Sequence, residues 1–204
     1  MPKVSEEHLA ARRRQILDAA LVCFSRQGFQ QTPMQAIFEE AGLSPGAVYR
    51  YFKSKEEIVH AIASETLRDF AAAIEPGPDG EPLGPADVLD RLFDAIEAVQ
   101  RRPERLRLAI QAWGEVLHNP GLADFLLERV DGLRARISAV LVDAQRRGAL
   151  DPGLDPEAAG RVLIAIGQGF AVQNAWYPDL DITAFRTAAH GLLSQAEPAS
   201  RLRG

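Results

Sequence analysis

The sequence predicts an all-α chain of about nine helices, a small N-terminal three-helix domain followed by a larger helical one. Three observations predict it. Apolar residues recur three and four positions apart through nearly every segment, the spacing of one helix face. No stretch of strand length alternates apolar and polar residues with period two. Proline and glycine stand at segment borders rather than inside them, proline where helices start and glycine where they stop.

The first helix is expected over residues 5–27, with Ser5 as its N-cap and Glu6 and Glu7 in a first turn where the helix dipole favours acids. Leu9, Ile16, Leu17, Ala20, Leu21 and Phe24 form its apolar stripe, and Gly28 ends it. Arg12, Arg13 and Arg14 precede the packed part, either as a solvated charged turn or along a nucleic-acid backbone. Thr32 and Pro33 then make a hydroxyl cap followed by proline at the first helical position. Met34, Ile37, Phe38 and Ala41 share one face of the short helix that follows, and Gly42 stops it. Ser44 and Pro45 repeat the start two residues later, so a further short helix is expected through Phe52. Two helices joined by so short a turn must cross steeply, which is the helix-turn-helix arrangement.

The second of these helices divides its residues unusually. Gly46 and Ala47 are small enough to let a backbone sink into a major groove, and Tyr49, Arg50 and Tyr51 behind them can reach base edges or phosphates. Arg50 is the candidate for reading a base edge, ideally of guanine. Tyr49, Tyr51, Lys55, Thr32 and the backbone of Gly46 are candidates for phosphate contact. Val48 and Phe52 are left to anchor the helix, while Lys53 and Lys55 sit past its end as flexible point charges.

A helix from Ser54 or Lys55 to about Ile74 follows, with Ile58, Ala61, Ile62, Thr66 and Phe70 at helical spacing. Residues 75–85 are too rich in proline and glycine for a helix and are expected to form a mobile loop. Val88, Leu89, Leu92, Phe93 and Ile96 mark the next helix. Leu106, Ala109, Ile110, Trp113 and Leu117 mark another, opened by Pro103. A long one begins after Asn119-Pro120 and stops at Gly148. Asp155-Pro156 opens a helix to about Trp176, and a last one is expected over residues 183–195, leaving a disordered tail, 197–204. Gly167 and Gly169 inside the penultimate helix each cost about 1 kcal/mol against alanine, which suggests that another backbone comes close. The domains are thus expected at 1–54 and 55–196.

Composition narrows the function classes. The chain of 204 residues is 47% hydrophobic and 25% charged, as in ordinary soluble globular proteins, and it has no apolar run near the ~18 residues of a membrane helix. No hydrophobic signal segment precedes the first helix, so a cytoplasmic protein is expected. Residues 1–60 hold 8 Lys and Arg against 7 Asp and Glu, net +1, while the remainder holds 15 against 21, net −6. A total of −5 therefore leaves room for a local phosphate-binding face, since distant charges are screened within about 10 Å. The single cysteine, Cys23, falls on the inner side of the first helix, where packing outweighs a redox role.

From Arg14 to Glu57 the chain resembles the N-terminal domain of the TetR family of bacterial transcriptional regulators. The likeness covers about a quarter of the chain and rests on Ala19-Ala20, Phe24, Gly28, Thr32, Ile37, Ala41-Gly42, Ser44, Gly46, Tyr49, Phe52, Lys55 and Glu56, in that order. Pro33, where a second hydroxyl residue is common, and Phe38, where alanine is common, depart from the pattern. The resemblance implies a DNA-binding face that includes Thr32, Ser44, Pro45, Gly46, Ala47, Tyr49, Arg50, Tyr51 and Lys55, and no enzymatic activity. It also implies an effector pocket in the larger domain.

Apolar walls with a few polar anchors suit such a pocket, and Phe93, Trp113, Phe125, Phe170 and Asn174 are the candidates, with Gln111, Glu115 and His118 or Gln168 and Gln173 nearby in sequence. The last two helices are expected to pair with their copies in a homodimer, as the resemblance also implies. Glu57-x-x-His60 and Glu115-x-x-His118 have the spacing of di-metal sites in helical bundles, but the further glutamates such a site needs are not evident, so no metal or other cofactor is expected. The expectation is a dimeric repressor on a palindromic operator, released by a small-molecule effector; the alternative is a non-regulatory helical protein that sequesters a small molecule, and an activator role is open.

Overall fold

The computed structural model describes residues 6–75, 81–177 and 179–194. The expected cap Ser5, residues 76–80 of the expected loop and the expected disordered tail lie outside them. Among the described residues there are nine helices and no strand. They are α1 (Glu6–Gln27), α2 (Met34–Ala41), α3 (Pro45–Tyr49), α4 (Lys55–Ala73), α5 (Pro85–Gln100), α6 (Pro103–Glu115), α7 (Pro120–Arg146), α8 (Pro156–Trp176) and α9 (Ile182–Ser194).

Glycine ends three of the segments as the sequence suggests: Gly28, Gly42 and Gly148 have φ of 80°, 63° and 72°, where a side chain would be strained. After Gly42, the Leu43 N–H returns to the Phe38 carbonyl and satisfies a group that the helix end would otherwise orphan. Starts are capped by side chains. Ser44 accepts from the Ala47 N–H and Asp155 from the Glu157 N–H. At α4, Ser54 accepts the Glu57 N–H while the Glu57 carboxylate accepts the Lys53 N–H, a reciprocal cap.

The chain divides into two compact units, one drawn from Met1–Arg68 and Val99–Val130, the other from Asp69–Ala98 and Asp131–Gly204. The first unit takes in a late stretch because of α6: Leu108 and Ala112 pack into its core with Leu122 and Leu126 of α7, beside Ile16, Ala20 and Phe24 of α1. Gln111 adds polar bonds on the same face, accepting from the Phe29 N–H and donating to the Phe24 carbonyl. Two helices late in the sequence thereby complete a core that α1 to α4 leave open. The second core joins Val88, Leu89, Leu92, Phe93 and Ile96 of α5 to Leu133, Ile137 and Leu141 of α7 and Leu163 and Phe170 of α8.

Some sequence expectations need correction. Leu9 is exposed because α1 extends beyond the packed core, and Leu117, 81% exposed, lies past the end of α6 at Glu115. The helix expected through Phe52 stops at Tyr49, and the next residues continue as a turn that still places Phe52 inward. Gly167 is packed within the chain, since a Cβ there would stand 3.1 Å from the Ile96 side chain, whereas one at Gly169 would meet nothing.

Candidate functional site

The reader begins with the corner between α1 and α2. Thr32 does not cap α2: the N-cap is Pro33, extended at ψ 155°, and it supplies no side-chain bond. Instead the Thr32 hydroxyl turns inward, donating to the Gly28 carbonyl at 2.7 Å and lying 3.3 Å from that of Cys23, so it closes the corner with the residue 1% exposed. The hydroxyl expected at a phosphate is thus engaged within the chain. Lys55 is also fixed rather than flexible, because its ammonium donates to the Phe29 and Gln30 carbonyls and lies 4.5 Å from the centre of the Phe29 ring. Lys53 likewise donates to the Tyr49 carbonyl at 2.6 Å.

On α3 the two expected anchors are buried and most of the other residues are not. Val48 is fully buried and Phe52 nearly so, while Pro45, Gly46, Tyr49 and Arg50 are exposed and Ala47 and Tyr51 half-buried. A Cβ at Gly46 would meet no atom of the chain within 4 Å, so that face of α3 is open to a ligand surface. Tyr49 and Phe38 pack edge to face, with centroids 5.3 Å apart, and Tyr49 stays 41% exposed. The Phe38 departure from the usual alanine is the sequence signal of this pair. Arg50 caps the C-terminal end of α3 in helical conformation and is exposed. What sequence reasoning missed is the bracing around α3, chiefly Gln15 donating to the Ala41 carbonyl at 2.7 Å.

The candidate effector residues fall into two groups. Phe93 and Phe170 are fully buried in the second unit, where Phe185 completes an aromatic cluster with centroids 5.1 to 5.9 Å apart. Half-buried Asn174 is on the same helix as Phe170. Trp113 and Phe125 belong to the first unit. Phe125 lies flat on the His60 ring at 3.8 Å, and the Arg129 guanidinium stands 3.7 Å from the same ring centre, so the two must occupy opposite faces. Burial and, secondarily, the Arg129 charge hold the His60 pKa below its usual value. The polar neighbours of Trp113 are engaged elsewhere: Gln111 at the α1–α2 corner, and Glu115 by the Gln30 side chain.

In the first Glu-x-x-His pair, Glu57 caps α4 and His60 is stacked on Phe125. Among the described residues no group of three or more His, Cys, Asp and Glu side chains could hold a metal. Cys23 is buried, and that burial, with Glu40 nearby, pushes its thiol pKa up, away from the reactive thiolate.

Residues 16–62 match the family model for bacterial regulatory proteins of the tetR family, and residues 85–196 match that for the C-terminal part of BetI-type transcriptional repressors. The chain belongs to the TetR family. It is a DNA-binding transcriptional regulator. One relative is the HTH-type transcriptional repressor Rv1474c of Mycobacterium tuberculosis, 39% identical over 105 residues, half of this chain and 56% of that one. Among solved structures, Salmonella enterica GusR is 30% identical with a TM-score of 0.73, covering 95% of this chain and all of that one. FadR of Bacillus subtilis, crystallised with stearoyl-CoA, shares the fold at a TM-score of 0.77 and 21% identity, over 91% of this chain and 99% of its own. The helices of this TetR-family chain include none, among the described residues, long and apolar enough to cross a membrane.

Proposed function

We propose that this regulator is a cytoplasmic, non-enzymatic repressor that binds a palindromic operator as a homodimer and leaves it when a small molecule occupies its larger domain. The observation that carries the reading is the composition of α3, whose anchors are buried while Pro45, Gly46, Tyr49 and Arg50 stay exposed. Two such helices in one dimer would enter successive major grooves about 34–36 Å apart. Arg50 is the base reader, and Ser44, Ala47, Tyr49 and Tyr51 with the Gly46 backbone position the helix on phosphates. Thr32 and Lys55 act one step back, holding the corner on which α3 rests.

Dimerisation is assigned to α8 and α9. Val162, Trp176, Leu192 and Leu193 are exposed apolar side chains on these helices, and Gly169 faces open space, which supports an uncovered face awaiting its copy. Phe93, Trp113, Phe125, Phe170 and Asn174 remain the proposed effector-sensing residues. The reading takes from FadR no ligand identity. Helix α4 is proposed to carry the response, because it supplies Ile58 and Ile62 to one core and ends with Phe70 and Ala71 against the other. An effector acts only through different affinities for the two states it selects between.

The test is a gel shift of the full protein on the DNA upstream of its own gene, alone and with a panel of metabolites, beside sedimentation of the free protein. Retardation by a dimer, relieved by at least one compound, is the expected result. A monomer that binds no duplex at low salt overturns the reading.

A further inference from the structure

Arg13 lies on α1, eleven residues before the α1 helix packs its last core phenylalanine, Phe24, and nothing in its sequence context separates it from Arg12 and Arg14. Its surroundings in the fold do separate it. The Arg13 guanidinium donates to the Glu65 carboxylate of α4 at 2.6 Å and stands 5.3 Å from the centre of the Phe52 ring. The other oxygen of Glu65 is 3.6 Å from an Arg105 nitrogen on α6. One carboxylate thus joins α1, α4 and α6, all within the first unit, and aims an arginine at the residue that closes the reader.

Phe52 is the point at which this matters. It is 4% exposed, its N–H returns to the Val48 carbonyl, and with Val48 it is the anchor of α3. A guanidinium over an aromatic face attracts the ring as well as excluding water from it. Two residues further along α1, Gln15 holds the Ala41 carbonyl at the end of α2. The α1 side chains at 13 and 15 therefore hold the turn that follows α3 and the end of α2.

We infer that Arg13 is a positioning residue for DNA binding, and that Glu65, itself held by Arg105, keeps it on Phe52 and so sets the attitude of α3. The alternative is that Arg13 is one more cation for the phosphate backbone. The two roles predict opposite signs at Glu65. Neutralising a carboxylate beside a phosphate-binding arginine strengthens binding to a polyanion, whereas removing the clasp of a positioning arginine weakens specific binding.

The experiment uses the full-length protein and a duplex that the wild type enriches from a randomised pool, with an unselected duplex as the non-specific control. Glu65→Gln and Arg13→Met are each expected to weaken binding to the selected duplex about fivefold and to leave the control unchanged, the scale of one partly exposed ion pair plus one cation–π contact. The double variant should bind no worse than either single one, because both break the same clasp. The slope of log affinity against log salt should not change, since no phosphate contact is lost. Thermal melts of each variant separate loss of folding from loss of attitude. Arg13→Lys, which keeps the charge without the planar group, should fall between wild type and Arg13→Met. Tighter binding by Glu65→Gln, additive losses in the double variant, or a salt slope reduced by about one for Arg13→Met would each overturn the inference.

Discussion

Thr32 shows how far a residue can be read from sequence and where reading stops. A threonine before a proline is a sound helix-start signal, yet here the hydroxyl donates backward to Gly28 rather than accepting from α2. A hydroxyl can do either, and only the position of the α1 end decides which. Thr32→Val should therefore lower stability by about 1 kcal/mol, seen as a melting shift of about 2–4 °C, because the Gly28 carbonyl loses a buried partner. An unchanged melt with weakened DNA binding would return Thr32 to the interface. Arg50 is the opposite case, exposed and free of the core as expected. Arg50→Ala should cost a factor of about 10 or more on the selected duplex and under about twofold on random DNA, by competition binding. Equal losses on both would make it a phosphate contact only.

At the scale of elements, the pattern of helices was legible almost throughout, because each carries its own periodicity and its own proline or glycine signals. The misjudged ends, Tyr49 for α3 and Glu115 for α6, lie where the chain leaves the helix without a glycine to mark it. Helix α8 carries a sharper contrast between two glycines two residues apart. A Cβ at Gly167 would stand 3.1 Å from the Ile96 side chain, closer than ordinary van der Waals contact, while one at Gly169 would meet nothing of its own chain within 4 Å. Gly169→Leu should leave the melting temperature of the isolated protomer unchanged or raise it, since glycine costs a helix about 1 kcal/mol relative to good formers. In sedimentation equilibrium the same variant should dissociate at concentrations where wild type remains dimeric. Unchanged association would remove α8 from the proposed interface.

The molecule as a whole should respond to acid through His60. Its pKa is held below the usual value in the folded protein, first by burial and then by the Arg129 charge, although Glu56 and Glu57 oppose the shift. Phe125 covers the imidazole from α7, with Arg129 on the far face of that ring, Glu128 beside Arg129 and the Ser64 hydroxyl accepting from Arg129. A folded-state pKa below the unfolded value means that the unfolded chain takes up the proton first as pH falls. Stability should thus be constant from this source above about pH 6.5, the ordinary histidine value, and decline below it. Denaturant titrations of wild type and His60→Gln should converge as pH drops from about 7 to about 5, since only the wild type loses this term. Parallel curves would show that His60 titrates normally in the fold.

Local chemistry alone determined the all-α class, the helix-turn-helix and the division of α3 into Val48 and Phe52 inside, Gly46, Tyr49 and Arg50 outside. Each of these depends on residues within a few positions of one another. The tertiary structure decided what depends on distant ones: that α6 completes the core of the first unit, that Lys55 and Gln111 meet at the Phe29 turn, and that Glu65 draws Arg13 onto Phe52. The reason is that helical periodicity specifies which face of a helix is buried but not which partner buries it. A polar side chain on that face is therefore ambiguous until the neighbouring helix supplies its donor or acceptor.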